Sequence, residues 1–255
     1  MKFIELVFSP TGGTEKVADT ISGVWNAEIQ KEDLSNASKD FGSIMIDKKD
    51  FVLIAVPSFG GRVPAIAVKR LSQINGNEAK CAVVCVYGNR AYEDTLIELK
   101  NTAENCGFSV IAAIAAVAEH SIMHQYATGR PDQNDIKKLK EFSNIIYEKF
   151  SNGDSLSTAI TVPGNSRYKK SGAGGLIPKA GSKCTKCGIC AENCPVQAID
   201  KNKIKSADPK KCISCMRCVA ICPQHARKVN NTLVAAASLA IKKACSVKKE
   251  CELYI

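Results

Sequence analysis

The sequence predicts an α/β fold, a doubly wound sheet of five parallel strands, joined to a second and smaller α+β domain. Three observations carry this. Across residues 1–150 short apolar runs alternate with amphipathic stretches, the pattern of strands buried on both faces between helices. Beyond residue 180, eight of the thirteen cysteines fall into one spacing used twice, 28 positions apart. Between these parts lies a stretch broken by glycines, including Gly153, Gly164, Gly172, Gly174 and Gly175, with no apolar period. The expected division is a sheet domain at 1–150, a linker at 151–180, a compact unit at 181–230 and a helical tail at 231–255.

In chain order, strands are expected at Lys2 to Phe8, more weakly at Ala27 to Lys31, then at Phe51 to Pro57, Lys80 to Tyr87 and Phe108 to Val117. Helices are expected at Glu15 to Trp25, Ala65 to Gln73, Ala91 to Asn105 and Pro131 to Phe150, with a tail helix from Leu233 to Ala244 packed on one of the domains. Sheets of this kind bind ligands beyond the carboxyl ends of their strands, where the strand order reverses. The loops after the strands are therefore the place to look.

After the first strand comes Ser9-Pro10-Thr11-Gly12-Gly13-Thr14, running directly into a helix. Three hydroxyls, two glycines with bare backbone N–H groups and a helix N-terminus suit one phosphate. The loop lacks the lysine of G-x4-G-K-[ST] and does not read G-x-G-x-x-G, so a single phosphate, as in FMN, fits it better than a dinucleotide. The plainer alternative is that Thr14 caps the helix and the glycines make the turn. The loops after the next two long strands are Pro57-Ser58-Phe59-Gly60-Gly61 and Tyr87-Gly88-Asn89-Arg90-Ala91-Tyr92.

The cysteines read Cys184, Cys187, Cys190, Cys194-Pro195 and Cys212, Cys215, Cys218, Cys222-Pro223, the spacing C-x2-C-x2-C-x3-C-P. Three thiolates two residues apart can wrap one 4Fe-4S cube, and the cysteine before each proline crosses to the other cube. Cys184, Cys187, Cys190 and Cys222 are then one ligand set, and Cys212, Cys215, Cys218 and Cys194 the other. Zinc would need four ligands and leave the third cysteine of each triplet idle; a disulfide framework would need an oxidising compartment. Ile189, Val196, Ile199, Ile213, Met216, Val219 and Ile221 lie between the ligands, where they can shield the cubes.

Residues 181–230 resemble the bacterial two-cluster ferredoxins, and residues 1–150, with S-x-T-G-x-T at 9–14 and the glycine and aromatic loops above, resemble a flavodoxin. The whole chain is similar to flavodoxin–ferredoxin fusion proteins of anaerobes. That resemblance implies an FMN held by Ser9, Thr11, Gly12, Gly13 and Thr14, with Ser58, Phe59, Gly60 and Gly61 and with Tyr87, Gly88, Asn89, Arg90, Ala91 and Tyr92 around its ring. Phe59, Tyr87 and Tyr92 are the candidates for stacking on it. It also implies two 4Fe-4S clusters and the work of an electron carrier between redox partner proteins, its direction unset by spacing. An alternative is an FMN-dependent reductase acting on a quinone or other small substrate, with the clusters as electron entry.

The net charge of +10 is unevenly placed: residues 1–150 hold 17 Lys and Arg against 19 Asp and Glu, and residues 151–255 hold 18 against 6. Eight thiolates and two oxidised cubes would lower the basic part to about +8. Such a surface either offsets cluster charge or docks an acidic redox partner. Without aromatic-interleaved basic motifs, nucleic acid is not an expected partner. The start MKFIELVF reads as a buried strand rather than a leader, and no apolar run approaches the roughly 20 residues of a spanning helix, so a cytoplasmic protein is expected. His120 follows the fifth strand on the ligand-binding edge, where it could serve as a proton source or merely be structural. Cys81, Cys85 and Cys106 fall in apolar patterns and are expected in the core. Tyr168-Lys169-Lys170 reads as a solvated run.

Overall fold

The computed structural model describes residues 1–152, 160–170 and 175–255. Strands β1 (Phe3–Val7), β2 (Ile29–Asp33), β3 (Phe51–Pro57), β4 (Lys80–Tyr87) and β5 (Ser109–Val117) run parallel in the order β2-β1-β3-β4-β5. The order reverses between β1 and β3, which opens a crevice at their carboxyl ends. Strand side chains alternate between two dry layers. Val52, Ile54 and Val56 of β3 face one layer, and Phe51, Leu53 and Ala55 face the other. Helices α2 (Ala65–Leu71) and α3 (Thr95–Asn105) cover the first layer with Ala67, Leu71, Leu96 and Leu99. Helices α1 (Gly13–Ser22) and α4 (Gln133–Ser151) cover the second with Val17, Ile21, Leu139 and Ile146. Cys81 and Cys85 are fully buried in the first layer and Cys106 packs at its margin.

Helix ends differ from the sequence expectation for local reasons. Asp132 caps α4, accepting from the N–H groups of Asn134 and Asp135 while Asp135 bonds back to the N–H of Asp132, so the helix begins at Gln133 rather than Pro131. Helix α3 starts at Thr95 rather than Ala91. Asn89 and Glu93 sit at φ of 63° and 44°, which keeps the loop after β4 out of the helix.

Described residues of the connector lie against the sheet domain. Ile160 and Val162 are buried in the first layer. The Asp94 carboxylate accepts the N–H groups of Asn165 and Lys169 at 2.9 and 2.7 Å, and the Arg62 guanidinium lies 4.9 Å over the Tyr168 ring. The Tyr168-Lys169 pair is thus held by specific bonds rather than simply solvated. Gly153, Gly172 and Gly174, expected to break this stretch, lie outside the described residues.

In the C-terminal unit β6 (Lys179–Ala180) pairs antiparallel with β7 (Arg227–Lys228), around two short helices, α5 (Ile189–Glu192) and α6 (Arg217–Ala220). Its buried cluster is small: Ala191, Cys194, Ala198, Ile199 and Ile204. The cysteine duplication is also a backbone duplication. Lys186, Gly188 and Gln197 have positive φ, and so do Ser214, Met216 and His225, each 28 residues on. For five residues bearing a Cβ this conformation is costly, and it is repeated where the loops must turn tightly around their cysteines.

The tail forms α7 (Asn231–Cys245), capped by the Asn230 side chain, and then β8 (Glu252–Tyr254), which joins the sheet antiparallel to β5. The sheet therefore has a sixth strand supplied from the far end of the chain. Among the described residues no helix is long and apolar enough to cross a membrane.

Candidate functional site

Two pockets in the C-terminal unit gather the cysteines into crossed sets. One is lined by Cys184, Cys187, Cys190 and Cys222, with Ile189, Ile204 and Arg227. The other is lined by Cys212, Cys215, Cys218 and Cys194, with Ile199, Ala207 and Met216. In each set the cysteine before proline comes from the other repeat, and its sulfur accepts one further bond: Ala198 N–H to Cys194 Sγ at 3.2 Å and Ala226 N–H to Cys222 Sγ at 3.3 Å. The four sulfurs surround a pocket instead of meeting at a point, and among the described residues no three His, Cys, Asp or Glu side chains converge on a single ion. A cube, which takes one sulfur on each iron, fits such a set.

Burial pushes the thiols of Cys215 and Cys218 up to about 11 and about 12, and raises Cys190 and Cys212 as well. At Cys222 burial is outweighed by the N–H groups of Ala226, Gln224 and Arg227, and the thiol is lowered. The sets differ in exposure: Cys187 is at the surface, whereas Cys194 and Cys215 are buried.

A cavity of about 490 Å³ lies beyond the carboxyl ends of β1, β3, β4 and β5. Its sheet-domain wall includes Thr11, Gly13 and Thr14 from the first loop, Ser58, Phe59 and Gly60 from the second, Tyr87, Gly88 and Arg90 from the third, and Glu119 to Met123 after β5. Gly12, at φ 88°, is the N-cap of α1 and brings no side chain to its first-turn N–H groups. The Ser9 hydroxyl is used within the loop, accepting the Glu15 N–H at 3.0 Å.

Six of the residues expected around a flavin do not line this cavity: Ser9, Gly12, Gly61, Asn89, Ala91 and Tyr92. Asn89 instead fastens the tail. Its amide donates to the carbonyls of Cys245 and Val247 at 3.0 and 2.9 Å and accepts the Lys249 N–H at 2.9 Å. The Tyr92 hydroxyl bonds Glu252 and Tyr254 of β8, leaving Phe59 and Tyr87 as the aromatic rings on the cavity wall. Gly61 leaves room for Glu93, whose carboxylate a Cβ there would strike.

His120 does line the cavity. Its Nδ1 accepts the N–H groups of Ile122 and Met123, both at 3.2 Å, which leaves the proton of the neutral ring on Nε2. Burial, with His124 nearby, lowers its pKa, so the neutral ring is favoured. Gly88 makes the position possible, because a Cβ there would come within 2.7 Å of the His120 side chain.

The rest of the cavity wall comes from parts of the chain remote in sequence: Gly175 and Leu176, Ile213, Ser214 and Cys215, and Leu233, Ala237 and Ile241 of α7. Cys215 thus lines both this cavity and the inner cysteine pocket. Guanidinium groups fix the junction. Arg70 donates to the carbonyls of Leu34 and Pro195, and Arg217 donates to the Ser9 carbonyl at 3.3 Å and to Asp33 at 3.4 Å. No local periodicity in the sequence marks α7 or Ile213 to Cys215 as walls of this cavity.

Strand order and cysteine geometry together define a flavodoxin-like α/β fold carrying a ferredoxin-type iron–sulfur unit. Residues 183–226 match the family model of the 4Fe-4S dicluster domain. The chain is 46% identical over 122 residues to the menaquinone reductase iron-sulfur cluster-binding subunit of Nitratidesulfovibrio vulgaris, covering 46% of this chain and 39% of that one. It therefore spans about two fifths of that relative's length. It is 41% identical over 49 residues to a ferredoxin-like protein in the nif region of Sinorhizobium fredii, covering 16% of this chain and 77% of that one. Among solved structures, flavodoxin 1 of Bacillus cereus aligns with 61% of this chain and 100% of its own, at 18% identity and a TM-score of 0.44. The chain thus joins a doubly wound sheet of order β2-β1-β3-β4-β5 to a unit that matches the 4Fe-4S dicluster domain.

Proposed function

We propose that this protein transfers low-potential electrons between a bound FMN and two 4Fe-4S clusters, and through them to external redox partners. The observation that carries the reading is Cys215, shared between the large cavity and the inner cysteine pocket. FMN exchanges electrons singly or in pairs, whereas each cube passes one, so the pairing converts between the two modes. Thr11, Gly13 and Thr14 would hold the phosphate, with Ser58 to Gly60 and Tyr87, Gly88 and Arg90 along the ring. Ile213 to Cys215 and α7 would close the cavity against water and set the inner cluster beside the flavin. The outer set, with Cys187 at the surface, would then meet the partner.

Protein purified without oxygen is expected to hold about eight irons and one FMN per chain. Cys212→Ser, which alters the inner set without touching the cavity wall, should retain FMN but slow its reduction by a protein donor by about 100-fold, read by stopped-flow absorbance. An unchanged rate would overturn the proposed path. The apolar side chains Ile122, Met123, Leu233 and Ile241 in the cavity favour one second reading, a reductase of a quinone-like substrate. Multiple turnovers of a soluble quinone at the expense of an artificial donor would establish that reading instead.

A further inference from the structure

Arg227, in β7, is among the largest fully buried side chains of the molecule, 2% exposed. Its terminal nitrogens donate to the carbonyls of Pro178 at 3.3 Å and Ile204 at 2.9 Å, and its Nε–H has no acceptor. The other buried arginines are matched differently. Arg130 is paired with Asp135, and Arg70 has two carbonyls with Asp33 acting on it through space. Among the described residues, Arg227 makes no ion pair. A guanidinium cannot shed its charge when buried, so an unpaired one needs a counter-charge nearby.

The location of Arg227 indicates what that counter-charge is. Arg227 lines the pocket of Cys184, Cys187, Cys190 and Cys222. The two carbonyls that hold its guanidinium belong to one pocket each, Ile204 lining the pocket of Cys184, Cys187, Cys190 and Cys222 and Pro178 lining the pocket of Cys212, Cys215, Cys218 and Cys194. We propose that Arg227 is the shared counter-ion of the two clusters, holding the potentials of both upward from between them. The inference rests on the two-cluster reading above. A cube with four thiolates carries about two negative charges oxidised and about three reduced. A fixed cation close to both therefore favours the reduced form of each. Arg227 is a positioning and electrostatic residue rather than a ligand, and the residue that follows the last cysteine by five places gives it this position through the β6–β7 pair.

The test is a redox titration of wild type, Arg227→Gln and Arg227→Lys under anaerobic conditions, followed by electron paramagnetic resonance, with iron counted on the same samples. Arg227→Gln is expected to keep eight irons and to lower both midpoints, each by about tenfold in the reduction equilibrium, or about 59 mV for one electron. Arg227→Lys, which keeps the charge, should fall between the two. Midpoints unchanged in an iron-replete glutamine variant would overturn the inference, as would a shift confined to one cluster. Should the glutamine variant lose iron, the lysine variant decides: eight irons with near-native midpoints support the charge, and a loss equal to that of glutamine means packing alone and overturns it. Wild type lacking eight irons would instead overturn the two-cluster reading and take this inference with it.

Discussion

The sheet domain and the cysteine-rich unit solve the problem of a buried interior in opposite ways. In residues 1–150 two apolar layers, one on each face of the sheet, supply a core large enough to stand without help. In residues 179–228 the buried cluster is only five side chains, the only strand pair is two residues long on each side, and cysteines occupy the centre. So small a unit needs a staple, and bound metal is the usual kind. The treatment of buried charge differs in the same way. Glu5, fully buried in β1 with no hydrogen bond to either oxygen and the Lys31 ammonium 4.0 Å away, can take up a proton, and burial does raise its pKa. Arg227 has no such escape and lies where the staple would be.

The comparison is broken most severely by removing iron. Chelation, or Cys222→Ser, should unfold the unit from Gly181 to Lys228 while the sheet remains folded. Amide exchange would read this as lost protection across 181–228 with protection retained in β1, β3, β4 and β5. Loss of protection in both regions together would mean that the sheet also depends on the clusters.

A smaller effect is expected at the cavity. Thr11→Val with Thr14→Val removes two hydroxyls from the first loop, and hydrogen bonds to a charged phosphate contribute about 1.5–3 kcal/mol each. FMN affinity, measured by fluorescence quenching, should fall by about 100-fold or more with iron content unchanged. Equal affinity would reject the loop as the phosphate site.

Asn89→Ala tests the fastening between regions. Three hydrogen bonds to the tail are lost, at about 1 kcal/mol each. Limited proteolysis should cut the chain after residue 230 more readily, and, on the proposed reading of the cavity, FMN should dissociate faster because α7 forms part of its wall. A tail as resistant as wild type would mean that β8 alone holds it.

The smallest change sharpens the charge contrast. The raised pKa of Glu5 means that the folded chain binds this proton more tightly than the unfolded chain does. Its contribution to stability is therefore fully present below the unfolded carboxyl value and is lost as pH rises through the folded one. Glu5→Gln should remove that slope and stabilise the sheet by about 1 kcal/mol at pH 8. Thermal melts from pH 4 to pH 8 would check it, and identical slopes in both proteins would show the charge to be compensated.

Much of this molecule was legible in its sequence, for reasons that are local. Strands such as Phe51–Pro57 and Lys80–Tyr87 matched their expected bounds because a strand buried on both faces is a continuous apolar run. The cysteine triplets were legible because two-residue spacing leaves a chain few ways to present three sulfurs around one centre, and the fold gathers each triplet with the cysteine before proline of the other repeat. Loop residues next to strand ends, Thr11, Thr14, Ser58 and Tyr87, were placed by the topology of the sheet. What the sequence left undetermined depends on contacts between residues far apart. Asn89 and Tyr92 read as flavin contacts, yet the tail claims them from about 160 residues away. The three residues of β8 are too few to carry a period, and the charge of Arg227 carries no mark of its burial. Periodicity and spacing are properties of neighbours along the chain, so they determined the elements and the grouping of the cysteines. The closing of the cavity by α7, the meeting of Cys215 with it, and the isolation of Arg227 were decided by tertiary packing, which alone brings distant residues together.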